Sequence, residues 1–179
     1  MTAPSIRPVR DEDVEEIRAI YDTVVTDTSI SFEEVTPGRD EFLRRITSRP
    51  TLPWLVAESE GVVVGYAYAS RHRERSAYRW SAEGSVYVAE ARRGTGVGRL
   101  LLERLIAELR DLGYVSLLAG ITLPNPPSVR LHESLGFRPA GVLPEVGFKH
   151  AAWHDVGWWS LRLAPTLPAE PAEPREWRT

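Results

Sequence analysis

The sequence predicts an α/β domain with a mixed central sheet flanked by helices. Three observations carry this prediction. Apolar residues recur at strand spacing and then at helix spacing along one continuous stretch. Their order reads β-α-α-β-β-β-α-β-α-β-β, a meander of strands followed by strands separated by helices, which calls for both antiparallel and parallel neighbours in one sheet. The chain has 179 residues, 42% hydrophobic and 26% charged. That is the make-up of one globular domain able to bury roughly 70% of its unfolded surface.

Each element has its own reason. Ser5–Val9 reads as a short strand. From Asp11 to Val25, Val14, Ile17, Tyr21 and Val24 fall at helical spacing, with acidic residues crowding the first turns. A second helix is expected from Arg39 to Ser48, ended by Pro50. Trp54–Glu58 and Val62–Ser70 read as strands joined through Ser59-Glu60-Gly61, a hairpin signal. Glu83–Ala89 alternates, with Glu83, Ser85 and Tyr87 on one face and Gly84, Val86 and Val88 on the other. A glycine-rich turn precedes a helix from Gly98 to Leu112. Leu101, Leu105, Leu109 and Leu112 form its buried stripe, and Gly113 suits its end. Val115–Ile121 is a strand, Ser128–Leu135 a short helix closed by Gly136, and Phe137–Leu143 and Val156–Leu163 are the last strands. Residues 1–164 make up one domain. Residues 165–179 carry Pro165, Pro168, Pro171 and Pro174, and an extended Pro-rich tail outside the core is expected there.

Composition excludes several classes of function. There is no cysteine, hence no disulfide, no thiolate nucleophile and no cysteine-based zinc site. A net charge of −3 gives no reason to expect nucleic acid or a membrane surface as partner. Charged residues from Arg7 to Asp13 interrupt any leader-like apolar run, so a cytoplasmic location is expected. The longest uncharged stretch, Leu112 to Val129, is broken by glycines and prolines and does not suit a membrane helix.

The most informative segment is Arg93-Gly94-Thr95-Gly96-Val97-Gly98-Arg99. It lies between a strand and an amphipathic helix, where glycines let backbone amides approach an anion beside the positive end of the helix dipole. A P-loop needs Lys followed by Ser or Thr after the last glycine; here Arg99-Leu100 follow. A dinucleotide fingerprint needs Gly-x-Gly-x-x-Gly in a first βαβ unit, and the spacing here is Gly94-x-Gly96-x-Gly98. The remaining pattern is Arg-x-x-Gly-x-Gly, filled by Arg93, Gly96 and Gly98. A turn with no ligand is the plainer alternative. Downstream, Asn125-Pro126-Pro127-Ser128-Val129-Arg130-Leu131-His132-Glu133-Ser134-Leu135-Gly136-Phe137 follows after one helix and one strand.

In order and context these two motifs resemble the pyrophosphate loop and the second coenzyme A segment of the Gcn5-related N-acetyltransferase (GNAT) superfamily, from about Ile6 to Leu163. Within it, the sequence is similar to the phosphinothricin and methionine sulfoximine acetyltransferases. The likeness rests on Trp54-Leu55-Val56-Ala57-Glu58, Ala77-Tyr78-Arg79-Trp80-Ser81-Ala82-Glu83, Ser85-Val86-Tyr87-Val88, Pro127 to Glu133, Gly147-Phe148-Lys149-His150 and Trp153-His154-Asp155-Val156-Gly157. The wider superfamily often carries Tyr where His132 stands.

The resemblance implies the GNAT fold and acetyl-coenzyme A as co-substrate. It implies transfer of acetyl to the amino group of a small glutamate-like amino acid analogue, in a homodimer. Such transfer needs a neutral amine, a polarised thioester carbonyl and a protonated leaving thiolate. Glu83 is the candidate base that removes the amine proton; a strand-start Glu paired with Arg is the alternative. The backbone of Val86, Tyr87 and Val88 is expected along the pantetheine arm, with the Val88 amide polarising the carbonyl. Residues Gly94, Thr95, Gly96, Val97, Gly98 and Arg99 would hold the pyrophosphate. Asn125 is expected to hydrogen-bond the cofactor, unless it serves only the turn before Pro126. Ser128 is a cofactor candidate that suits a helix N-cap better. His132 is the candidate acid for the thiolate, or a hydrogen-bond partner of the substrate.

Arg71-His72-Arg73-Glu74-Arg75 puts three arginines in five residues. That is a fit for a substrate with two anionic groups, or simply a solvated charged loop. Arg73, Glu74, Arg75 and Tyr78 are the substrate candidates, with Lys149 expected to reach the same pocket. His150 and His154 have helical metal-ligand spacing without an evident third ligand, so no metal is expected. Trp153, Trp158 and Trp159 are expected to pack a core or a dimer face. Two other readings stand beside this one. One is an acetyltransferase for another amine, such as a polyamine, an aminoglycoside or a protein N-terminus, where a cationic acceptor would want acidic rather than basic surroundings. The other is a non-catalytic acyl-coenzyme A-binding module.

Overall fold

In the computed structural model, which describes residues 3–178, the elements run β1 (Ser5–Pro8), α1 (Val14–Asp27), α2 (Arg39–Ile46), β2 (Trp54–Ser59), β3 (Val62–Arg71), β4 (Ser81–Val88), α3 (Val97–Asp111), β5 (Ser116–Leu123), α4 (Pro126–Ser134), β6 (Arg138–Lys149) and β7 (Ala152–Arg162). The strands form one seven-stranded sheet in the order β1-β2-β3-β4-β5-β7-β6. Every neighbouring pair is antiparallel except β4 and β5. The α/β class and the mixed sheet read from the sequence are therefore present.

Two cores cover the two faces, and strand alternation sorts side chains between them. On one face α1 and α2 pack Val14, Ile17, Val24 and Phe42 against Trp54, Val56 and Tyr66. On the other, α3 packs Leu101, Leu102, Leu105 and Leu109 against Leu55, Ala67 and Leu117. Each fully buried leucine contributes about 1.5–3 kcal/mol by leaving water. This is why α3, despite its loose glycine-rich entry, is a rigid support.

The feature that positions the site is a gap in the sheet. Strands β4 and β5 pair only through Ser81↔Ser116, Ala82↔Leu117 and Glu83↔Leu118. Beyond that point they diverge. β4 stays with β3 as far as Val88↔Gly65, and β5 stays with β7 as far as Leu123↔Asp155. Each arm is held by its outer neighbour, so the sheet opens as a V with Glu83 at its vertex.

The structure differs from expectation in two places. The last strands are longer than the predicted Phe137–Leu143 and Val156–Leu163. They continue as a hairpin to Lys149 and Ala152, turning on His150 and Ala151 at φ of 50° and 58°, the left-handed pair that a two-residue hairpin turn requires. The segment beyond residue 164 lacks helix or strand, as expected, but it does not lie outside the core. Trp177 is buried within the α3-side core. Its backbone N–H donates to Thr51 O at 2.9 Å, and its indole N–H donates to Glu108 Oε2 at 3.1 Å. The Trp80 indole donates to Ala172 O at 2.7 Å, and Arg79 pairs with Glu173. The prolines keep the strap extended while its aromatic end locks it to α3.

Candidate active site

The two arms of the V and α4 enclose one slot. Gly84, Ser85, Val86 and Tyr87 line it from β4, Ala119 to Thr122 from β5, and Asn125, Ser128 and His132 from α4. The Ala89 N–H donates to Val64 O. By alternation the amides and carbonyls of Gly84, Val86 and Val88 therefore turn away from β3, toward the open side. A sheet edge left unpaired inside a fold is a template for an extended ligand with amide groups. The side chains of Val86 and Val88 pack on the α3-side core and that of Tyr87 on the α1 side, as the alternation predicts.

At the far end of β4 the glycine turn meets α3. Gly94 and Gly96 hold φ of 74° and 91°, and a Cβ on either would meet nothing within 4 Å. Open space in front of a backbone bent for close approach, at a helix N-terminus, suits a phosphate group. Gly98 differs. A Cβ there would come within 3.3 Å of Leu131 and 3.5 Å of Val88, so it permits close packing of α3 against α4 and β4. The Thr95 hydroxyl donates to Arg92 O at 2.6 Å, and Arg93 Nε donates to Val88 O at 3.3 Å. Val97 is buried, and Arg99 pairs with Glu103. The residues present fit a pyrophosphate-bearing acyl carrier laid along β4.

Glu83 sits at the vertex, side chain on the α1 face. Its partner is neither Arg nor solvent alone: His72 Nδ1 lies 2.7 Å from Glu83 Oε1. That replaces the expected arginine alternative, and the sequence did not suggest it. His132 is buried. Its Nδ1 donates to Ser128 O at 2.8 Å, because a carbonyl can only accept; the imidazole therefore carries its proton on Nδ1. Burial pushes its pKa below the ordinary histidine value, with the Ser128 carbonyl opposing, so the ring is neutral at neutral pH and Nε2 offers a lone pair. Tyr68 and Tyr87, close to Ser85 on the α1 face, are pushed up by burial and stay neutral.

Asn125 and Ser128 line the slot, but their local roles differ from expectation, and Lys149 stands elsewhere. Asn125, not Ser128, caps α4: its Oδ1 accepts from the Ser128 N–H at 3.2 Å. Lys149 does not reach the slot. Its ammonium is buried and donates to Val25 O, Ser31 O and Glu33 O at 2.6, 2.7 and 2.8 Å, clamping the 28–36 loop over α1. His150 and His154 serve the same loop, through Thr28 O and Ser29 Oγ. The tryptophans divide: Trp159 is buried, Trp153 is exposed, and Trp158 packs edge-on to His72. Arg73, Glu74, Arg75 and Tyr78 lie exposed on the loop between β3 and β4, immediately before the vertex strand. Arg73 and Arg75 make no ion pair among the described residues.

Comparison with known proteins finds relatives over most of the chain. The family model described as an acetyltransferase (GNAT) domain matches residues 6–158. The phosphinothricin N-acetyltransferase of Streptomyces viridochromogenes is 38% identical over 172 residues, 94% of this chain and 93% of that protein. The L-methionine sulfoximine/L-methionine sulfone acetyltransferase of Salmonella typhimurium is 39% identical over 161 residues, 89% of this chain and 94% of that protein. The crystal structure of a GNAT superfamily phosphinothricin acetyltransferase from Sinorhizobium meliloti, in complex with AcCoA, superposes with a TM-score of 0.91 at 35% identity, covering 96% of this chain and 95% of that one.

Proposed function

The chain belongs to the GNAT acetyltransferase family, and on that premise we propose that it moves the acetyl group of acetyl-coenzyme A onto the α-amino group of a small anionic, glutamate-like amino acid analogue of the phosphinothricin, methionine sulfoximine or methionine sulfone type. The observation that carries the reading is the V with Glu83 at its vertex. The open edge of β4 leads from the glycine turn to a carboxylate, and a loop bearing Arg73 and Arg75 precedes that carboxylate.

The residues divide the work. The backbone of Gly94 to Arg99 and the α3 N-terminus hold the pyrophosphate. The outward-turned amides and carbonyls of Val86 and Val88 hold the pantetheine amides. Val86 lies three residues from Glu83, about 10 Å along the strand, and Val88 about 16 Å. The Val86 amide is thus better placed than that of Val88 to donate to the thioester oxygen as it gains charge. Glu83 takes one proton from the acceptor ammonium, freeing the lone pair that attacks the carbonyl carbon. His132 Nε2, unprotonated, takes the second proton from the attacking nitrogen and returns it to the leaving sulfur, which balances the protons. Arg73 and Arg75 pair with the two anionic ends of the acceptor, flanked by Glu74 and Tyr78. With no cysteine in the chain, the commonest acyl-enzyme route is missing, and direct transfer in a ternary complex follows.

We further assign the chain to the cytoplasm and to a homodimer. Val142, Leu143, Val146, Phe148 and Trp153 are exposed on the β6–β7 hairpin, an apolar surface that a second copy would cover. Light scattering on the eluting protein reads the stoichiometry. The reaction itself is tested by initial rates with both substrates varied and by the product mass. Intersecting lines and an N-acetylated acceptor are expected; parallel lines with an acetylated protein would overturn direct transfer.

A further inference from the structure

We propose that His72 is a positioning residue for Glu83, fixing one carboxylate oxygen so that the other faces the acceptor amine. This rests on the reading of Glu83 as the base. Ser70 stands opposite Glu83 in the β3–β4 ladder. His72 is two residues further along the same face, a diagonal neighbour within side-chain reach. Its Nδ1 lies 2.7 Å from Glu83 Oε1. The imidazole is 14% exposed and the carboxylate 31%, so the anchored side of the pair is the dry one. The ring is held from two directions. Tyr78 packs edge-on with centroids 5.5 Å apart, and Trp158 of β7 does so at 6.1 Å. A ring wedged between two aromatics has little rotamer freedom, and it passes that order to the carboxylate it holds.

The chemistry favours this arrangement. A carboxylate that must collect a proton works best when ionised and pre-aimed, since displacing a reacting group by an ångström can cost two orders of magnitude. Nδ1–H donation occupies Oε1 and leaves Oε2 without a partner among the described residues. The pair also ties the two sides of the acceptor pocket together, because His72 opens the loop that carries Arg73 and Arg75. Base and anion-binding loop are thereby set in one register.

The test compares three variants in the full-length protein. His72→Phe keeps the ring and removes the donor. His72→Asn keeps a donor nitrogen at the same number of bonds from Cβ as Nδ1. Glu83→Gln reports on the parent reading. His72→Phe is expected to lower kcat with the best acceptor by about 10- to 100-fold, leaving acetyl-coenzyme A affinity and the KM of the acceptor in place; His72→Asn is expected to keep most of the rate. Nitrogen chemical shifts of the His72 ring, assigned by their loss in His72→Asn, should show a proton on Nδ1 and should move in Glu83→Gln. A full rate in His72→Phe beside a slow Glu83→Gln overturns the positioning role and spares the base. His72→Asn as slow as His72→Phe overturns it in favour of packing alone. A full rate in Glu83→Gln removes the base, and this proposal with it. Should His72→Phe fail to fold, the ring shifts decide: a proton on Nε2 with Nδ1 bare overturns the proposal.

Discussion

The two sides of the opened sheet are built by opposite means. On the proposed coenzyme side the binding groups are backbone: amides of the glycine turn, the end of α3, and the unpaired edge of β4. On the proposed acceptor side they are side chains: Glu83, His72, Arg73, Arg75 and His132, brought together from one strand, a loop and a helix. A backbone site needs only small residues and a supported helix, so it tolerates many side chains and serves one ligand across many proteins. A side-chain site depends on each residue, and that is where we place the choice of acceptor.

The comparison can be broken one side at a time, beginning with the largest effect. Glu83→Gln should lower kcat by about 100-fold or more while acetyl-coenzyme A binds with unchanged affinity by calorimetry; weakened cofactor binding would place Glu83 on the wrong side. Gly96→Val forces a branched side chain into a φ of 91°, a strain of about 1–3 kcal/mol. The KM for acetyl-coenzyme A should rise about ten-fold, with that for the acceptor unmoved. Arg73→Ala and Arg75→Ala should each raise the acceptor KM by about five-fold, because exposed charges contribute about 1 kcal/mol or less. The effect should shrink in high salt, which screens such pairs, and the coenzyme KM should stay fixed.

The smallest effect concerns stability. His132 is buried neutral and its pKa lies below the ordinary value. The unfolded chain therefore takes up a proton at higher pH than the folded one. The stability that His132 contributes is full above its unfolded pKa of about 6.5 and is lost as pH falls below it toward the folded pKa. Denaturant titrations from pH 8 to pH 5 should show this slope in the wild type and a shallower one in His132→Gln.

How much of this was legible follows the same division. The glycine turn, the leucine stripe of α3 and the Asn125–Phe137 segment announce themselves locally, because periodicity and glycine spacing record backbone demands. The His72–Glu83 pair is not local. It needs the register of β3 on β4, which no spacing in the sequence states. Lys149 looks like any loop cation until its carbonyl partners, 116 to 124 residues away, are in place. The hairpin turn at His150 and Ala151 uses residues that carry no turn signal despite their positive φ. The proline-rich strap has the composition of a free tail, and its contacts with the domain, above all the burial of Trp177 against α3, show otherwise.

The most direct measurement is thiol release from acetyl-coenzyme A by the purified protein, with phosphinothricin, methionine sulfoximine, methionine sulfone, glutamate and spermidine as acceptors and with none. The account predicts fast release with phosphinothricin or the sulfur analogues, and only background release with spermidine or without acceptor. Release with spermidine alone, or none with any acceptor despite measured coenzyme binding, would contradict it.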